Sequence, residues 1–101
     1  MIKIPKQFSF AGIIFKVEIV DTVKTDGESD YGIFDTNQNT IKLAKYIDGE
    51  TVTEQTMENT FYHELAHALQ YYYNNEVDES FAQCIGNFLM EYNHTKLYGE
   101  T

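Results

Sequence analysis

Residues 63–67 of the chain read His-Glu-Leu-Ala-His. On an α-helix, at about 100° per residue, positions four apart lie roughly 40° from one another, so the His63 and His67 imidazoles can reach one ion. Glu64 projects about 100° from His63. That is close enough to hold a water beside the ion but awkward for a co-ligand, which suits a general base. The pattern thus supplies two metal ligands and a base for hydrolytic chemistry. The chain has only three histidines, and two of them form this pair. With Phe61 set at zero they fall near roughly 200° and 240°, off the apolar stripe of the same segment, so core packing does not explain them. A hydrolytic zinc needs a third protein ligand and an open fourth position. Gln70 and Tyr73 occupy the places where a His-x-x-Gly-x-x-His extension needs its glycine and last histidine, which excludes that arrangement. Glu79, twelve residues after His67, heads the next helical segment and is the candidate third ligand, with Glu76 and Asp78 as competitors. An acid in a first helical turn is also favoured by the helix dipole alone.

The elements that must position these groups follow from periodicity. Thr51 and Glu54 have capping-box spacing and open a stretch free of Gly and Pro, which predicts an active-site helix over 52–73. Met57, Phe61, Leu65, Ala68, Leu69 and Tyr72 recur at three- and four-residue steps and predict the stripe that faces a sheet. Asp78 is placed to cap a second, glutamate-bearing helix over 78–93. Its predicted buried face is Phe81, Ala82, Ile85, Phe88, Leu89 and Tyr92, with Cys84 as a small core residue beside it. Upstream, residues 8–47 read as the sheet region. Phe8 to Val20 alternates with period two, with a turn or bulge at Gly12, and residues 25–30 read as a connecting loop. Tyr31 to Asp35 and Thr40 to Ala44 form a predicted hairpin, and Asp48-Gly49 ends the region. Strands first and helices after give an α+β domain: a small three-stranded antiparallel sheet with two helices on one face.

Composition sets the outer limits. At 101 residues the chain fits one domain, 1–101, and 15% aromatic content lets so short a chain fill an interior. Sixteen acidic residues against seven basic ones give a net charge of −9, and every basic residue is lysine. A negative field without guanidinium groups repels phosphate backbones and anionic lipid, so neither nucleic acid nor a membrane is expected as partner. The longest apolar run, Ala11 to Phe15, is far too short to span a bilayer, and the N-terminus does not read as a leader, so a soluble cytoplasmic protein is expected. Cys84 stands alone and forms no internal disulfide. The lysine-only, Asn- and Ile-rich composition suits a low-GC bacterium or its phage.

Taken together, these segments resemble the small single-domain gluzincin-type zinc metallopeptidases called minigluzincins, and more broadly the ImmA/IrrE-type and phage-associated HExxH proteins. Phe10 to Glu18 resembles the family's opening strand, Tyr31 to Asp35 its short strand and Thr40 to Leu43 the strand before the helix. His63 to Leu69 resembles the HELxHAL core, and Asp78 to Phe81 the acidic start of the next helix. The resemblance implies a minimal zincin fold that holds one Zn²⁺ through His63, His67 and Glu79, with Glu64 as general base in peptide-bond hydrolysis. It further implies a protein or peptide substrate that pairs as an extended strand along Tyr31 to Asp35. Gly32, Ile33 and Phe34 would then be the substrate-binding residues, Gly32 admitting a close backbone approach.

A second function is compatible with the same residues: a catalytically silent or latent zinc-bound module that binds a phage or mobile-element regulatory protein. No oxyanion-stabilising residue is identifiable, although Tyr71, Tyr72, Tyr73 and Tyr92 are candidates by type. Gln83, one turn after Glu79, could support the ligand. A latent form would lay the tail after Tyr92 over the metal, with His94 or Glu100 as plugs.

Overall fold

Three two-residue turns organise the first half of the chain. At Ala11-Gly12, Asp26-Gly27 and Asp48-Gly49 both residues have positive φ, between 50° and 85°. That conformation matches the right-handed twist of a tight hairpin, and the glycine in each pair accepts it without a Cβ penalty. Ala11-Gly12 therefore splits the expected strand over 8–20 into β1 (Gln7–Phe10) and β2 (Ile13–Val20). Asp26-Gly27 turns the expected loop into a hairpin of β3 (Val23–Thr25) and β4 (Glu28–Asp30). β5 (Gly32–Asp35) and β6 (Thr40–Ala44) form the expected hairpin across residues 36–39, where Asp35 Oδ1 accepts from the backbone N–H groups of Asn37 and Gln38. Asp48-Gly49 then joins β7 (Tyr46–Ile47) to β8 (Glu50–Thr51). The structure is a computed structural model that describes residues 4–74, 78–97 and 99.

The main sheet has four strands, not three, in the order β1-β2-β6-β5, and it is mixed, not antiparallel. β2 and β6 run parallel with Val17 beside Ile41 and Ile19 beside Leu43. The reason lies in the connection. After β2 the chain makes the β3–β4 hairpin, passes to the far edge as β5, and turns back into the slot beside β2 as β6. β5 is left as an edge strand.

α1 (Glu54–Asn74) begins two residues later than predicted. Thr51 is held in β8 opposite Tyr46, and Val52 donates its N–H to the Lys45 carbonyl, so neither can begin the helix. Thr53 is the cap instead, its hydroxyl accepting from the Thr56 N–H at 3.1 Å. The predicted stripe does meet the sheet. Phe61 closes a core with Val17, Ile41 and Leu43, while Met57 and Leu65 pack against it. Aromatic contacts extend this core, with Phe8 stacked on Phe15 at 5.2 Å and edge-on to Phe61 at 6.5 Å.

α2 (Glu79–Thr95) packs chiefly on α1, not beside it on the sheet. Its contact edge is small: Ala82 and Gly86 are its buried residues, and a Cβ on Gly86 would stand 3.0 Å from both N and Cα of His63. Such close contact tips the large side chains away from the interface. Phe81, Phe88 and Tyr92, expected inside, are 45%, 60% and 49% exposed, and Cys84 is exposed as well. At the other end of α2 the His94 imidazole bonds the buried Glu58 carboxylate of α1 at 2.8 Å. No helix among the described residues is long and apolar enough to cross a membrane.

Gly86→Ala must force the two helices apart, because the atoms it meets belong to backbone. Overpacking of this kind costs about 1–3 kcal/mol, read as a lower urea midpoint at unchanged slope.

Candidate metal centre

Helical spacing puts His63 and His67 one above the other on α1, and α2 covers them. Gln70, one turn after His67, accepts the Asp78 N–H at 2.8 Å and so anchors the start of α2 against α1. Asp78 in turn caps α2 by accepting the Phe81 N–H at 3.0 Å, which occupies its carboxylate as a cap. Glu79, next in the chain, is thereby delivered over the histidine pair. Its Oε1 lies 3.0 Å from His63 Nε2 and 3.2 Å from His67 Nε2, and the two Nε2 atoms are 3.1 Å apart. Glu76, the other competitor for this role, lies outside the described residues.

The chemistry of this triangle decides what fits it. A neutral imidazole carries one N–H, so each Nε2 is a donor or an acceptor but not both. If both donate to Glu79, the His63–His67 contact sets two hydrogens against each other; if one accepts from the other, its lone pair faces a carboxylate oxygen. Three hydrogen bonds cannot coexist here, whereas a cation at which all three lone pairs converge satisfies them together. A small tetrahedral ion with ligand bonds of about 2.0–2.1 Å spaces its ligands by about 3.3 Å, close to what the side chains adopt. Among the described residues these three form the one such group of potential ligands. His67 is buried, and its Nδ1 has no hydrogen-bond partner among the described residues, a departure from the usual pattern in which a ligating histidine is oriented by a second partner.

Electrostatics separates the two glutamates. Glu64 is buried beneath β5, and burial, then the charges of Asp30 and Glu79, push its carboxyl up to about 7 against a bond from the Phe34 N–H. Burial draws Glu79 upward too, but hydrogen bonds and charge from His63 and His67 outweigh it, and its carboxyl sits below the usual range. One carboxyl is thus poised to exchange a proton near neutrality, and the other is held ionised. That division of labour suits a base and a ligand.

Two of the hollows beside the triad also reach β5. One, of about 320 Å³, is lined by Asp30, Tyr31, Asn59 and Thr60 beside His63. The other, of about 200 Å³, is lined by Thr25, Asp30, Ile33, Phe34 and Thr36 beside His67. Gly32, Glu64 and Glu79 border both. The strand residues singled out from the sequence therefore border these hollows, and Gly32 has a packing role besides. A Cβ there would stand 2.7 Å from Thr60 Cγ2 and 2.9 Å from the Lys42 carbonyl, so its missing side chain lets α1 lie against β5. Gln83 lines the first hollow and donates to Asn87 at 3.1 Å, with no bond to Glu79. Tyr71, Tyr72, Tyr73 and Tyr92 line neither hollow; Tyr31, at the head of the substrate-pairing segment but not among those tyrosine candidates, lines one. Asn59, four residues before His63 on the same helical face, was within reach of periodicity. Nothing in the local sequence marks Asp30. His94 is engaged by Glu58 and does not plug the triad, while Glu100 lies outside the described residues.

No protein-family model matches the chain, and neither does any curated protein or solved structure.

Zinc added to metal-free protein at a hundredfold excess over its dissociation constant should stabilise it by about 2.7 kcal/mol, a rise in Tm on the order of 10 °C that a chelator reverses. His67→Ala and Glu79→Gln should each abolish most of that rise in thermal melts. A rise that survives both substitutions places the ion elsewhere.

Proposed function

We propose that the chain is a zinc-dependent metallopeptidase with a minimal zincin fold of the gluzincin type. The observation that carries this reading is the convergence of His63 Nε2, His67 Nε2 and Glu79 Oε1, with the buried Glu64 carboxyl next to them. His63, His67 and Glu79 would hold the ion. Zinc, when bound, lowers the pKa of a water toward neutrality and polarises a carbonyl oxygen.

The rest belongs to the chain's own residues. Glu64 takes the proton from the attacking water and later delivers it to the leaving amine. β5, an unpaired edge, offers its backbone to an extended peptide, so that substrate would lie along the strand that lines both hollows. Glu79 and the two histidines gain their geometry from the α1–α2 contact, which leaves the groove side open to a chain passing over it.

A second reading, a zinc-bound module that binds a regulatory protein without cleaving it, is supported by the shallow hollows and by the four flagged tyrosines lying away from them. One substitution separates the two. Glu64→Gln should retain a full equivalent of zinc by elemental analysis while cleavage of a peptide library falls about 100-fold or more. Cleavage that persists at the wild-type rate would remove Glu64 from the mechanism, and stoichiometric binding with no turnover by the wild type would favour the second reading.

A further inference from the structure

The β3–β4 hairpin, read from the sequence as a mere connection, forms one wall of the groove through Thr25 and Asp30. Asp30 borders both hollows, and its charge is felt at Glu64. Its Oδ1 is fixed by the Tyr31 N–H at 2.8 Å, while the other oxygen has no partner among the described residues. Thr25 lines the second hollow, while its hydroxyl oxygen is buried behind that wall without a hydrogen-bond partner among the described residues. No lysine lines either hollow, and the chain contains no arginine.

These facts describe a complementary shape. The walls contributed by Ile33 and Phe34 are apolar, and the hairpin end presents the free Asp30 carboxylate oxygen, which can accept. A lysine side chain has the matching form: an apolar four-carbon stem that packs along hydrophobic surface and an ammonium with three donors and no acceptor. A neutral apolar side chain would leave the Asp30 oxygen unpaired, and an acidic one would face Asp30. Of the three carboxylates around the groove, Glu79 has its role with the two histidines and Glu64 with the proton, so Asp30 is the one left uncompensated. We propose that Asp30 heads a specificity subsite that takes a cationic side chain of the peptide substrate, lysine foremost, in the hollow between the β3–β4 hairpin and β5. The proposal rests on the peptidase reading for its substrate but not for its binding chemistry.

Binding to the zinc-loaded Glu64→Gln protein tests it without relying on turnover. The probes are fluorescent peptides of one sequence in which a single lysine is moved through each position, with matched sets carrying arginine, norleucine or glutamate. Fluorescence anisotropy should show lysine or arginine at one position binding about tenfold more tightly than norleucine, with glutamate weakest and the preference shrinking as salt is raised. Adding Asp30→Asn should bring the lysine-to-norleucine ratio close to one; a thermal melt establishes that the variant is folded. An equal affinity for lysine and norleucine at every position, or a preference that survives Asp30→Asn, overturns the subsite. So does failure of every cationic peptide to bind. Wild-type cleavage assays on the same peptides separate the two ideas: cleavage without cationic preference leaves the peptidase standing and removes the subsite, whereas lysine-selective binding without cleavage keeps the subsite and removes the peptidase.

Discussion

The contact of Gly86 with the backbone of His63 sets the distance between the two helices, and the candidate metal centre depends on that distance. Two histidines on one helix face supply only part of a ligand set. Glu79 joins them because α2 lies near enough for a short carboxylate to span the gap, and α2 can approach so closely because Ala82 and Gly86 offer almost nothing to separate the helices. The Asp78 N–H bond to Gln70 holds one end of α2, and the Glu58–His94 bond holds the other. Between those two ties the helix has little freedom to slide, so Glu79 stays over His63 and His67.

A second close approach completes the arrangement. Gly32 lets β5 lie against α1 at Thr60, and that contact buries Glu64 beneath the strand, where Phe34 can hydrogen-bond it. The same burial that raises the Glu64 carboxyl toward neutrality makes β5 both the lid over the base and an open edge at the groove. Missing side chains at two glycines therefore perform complementary tasks: one sets the ligands and the other sets the base. The cost appears on the outer face of α2, where Phe81, Phe88 and Tyr92 remain exposed because the helix makes its contact through its small residues.

Much of the local structure is legible in the residues themselves. Alternation from Ile13 to Val20 marks a strand, the 36–39 connection marks a hairpin, and the stripe through Phe61 and Leu65 marks the helix face that covers the sheet. Two of the three tight turns carry their own signal, since Asp-Gly pairs readily accept the left-handed backbone a two-residue hairpin needs, whereas in the third only Gly12 marks the turn. Other features could not be read there. The apolar pattern of α2 shows which residues prefer an interior, but Gly86 decides which edge meets α1, and hydrophobicity cannot express a preference for closeness over volume. The parallel pairing of β2 with β6 is equally hidden, because strand order depends on where the chain returns after an intervening hairpin.

For the candidate site the division has a physical reason. His63, Glu64 and His67 belong to one helix turn and a little more, so their relation is fixed by the 3.6-residue period as soon as the helix forms. Their sequence alone determines that two imidazoles share a face with a carboxylate beside them. Glu79, Asp30 and Thr25 come from other elements, and local geometry says nothing of their distance from that turn. Only tertiary packing brings Glu79 to 3.0 Å from His63, buries Glu64 and turns the β3–β4 hairpin into a wall, because burial and charge depend on neighbours that are remote along the chain.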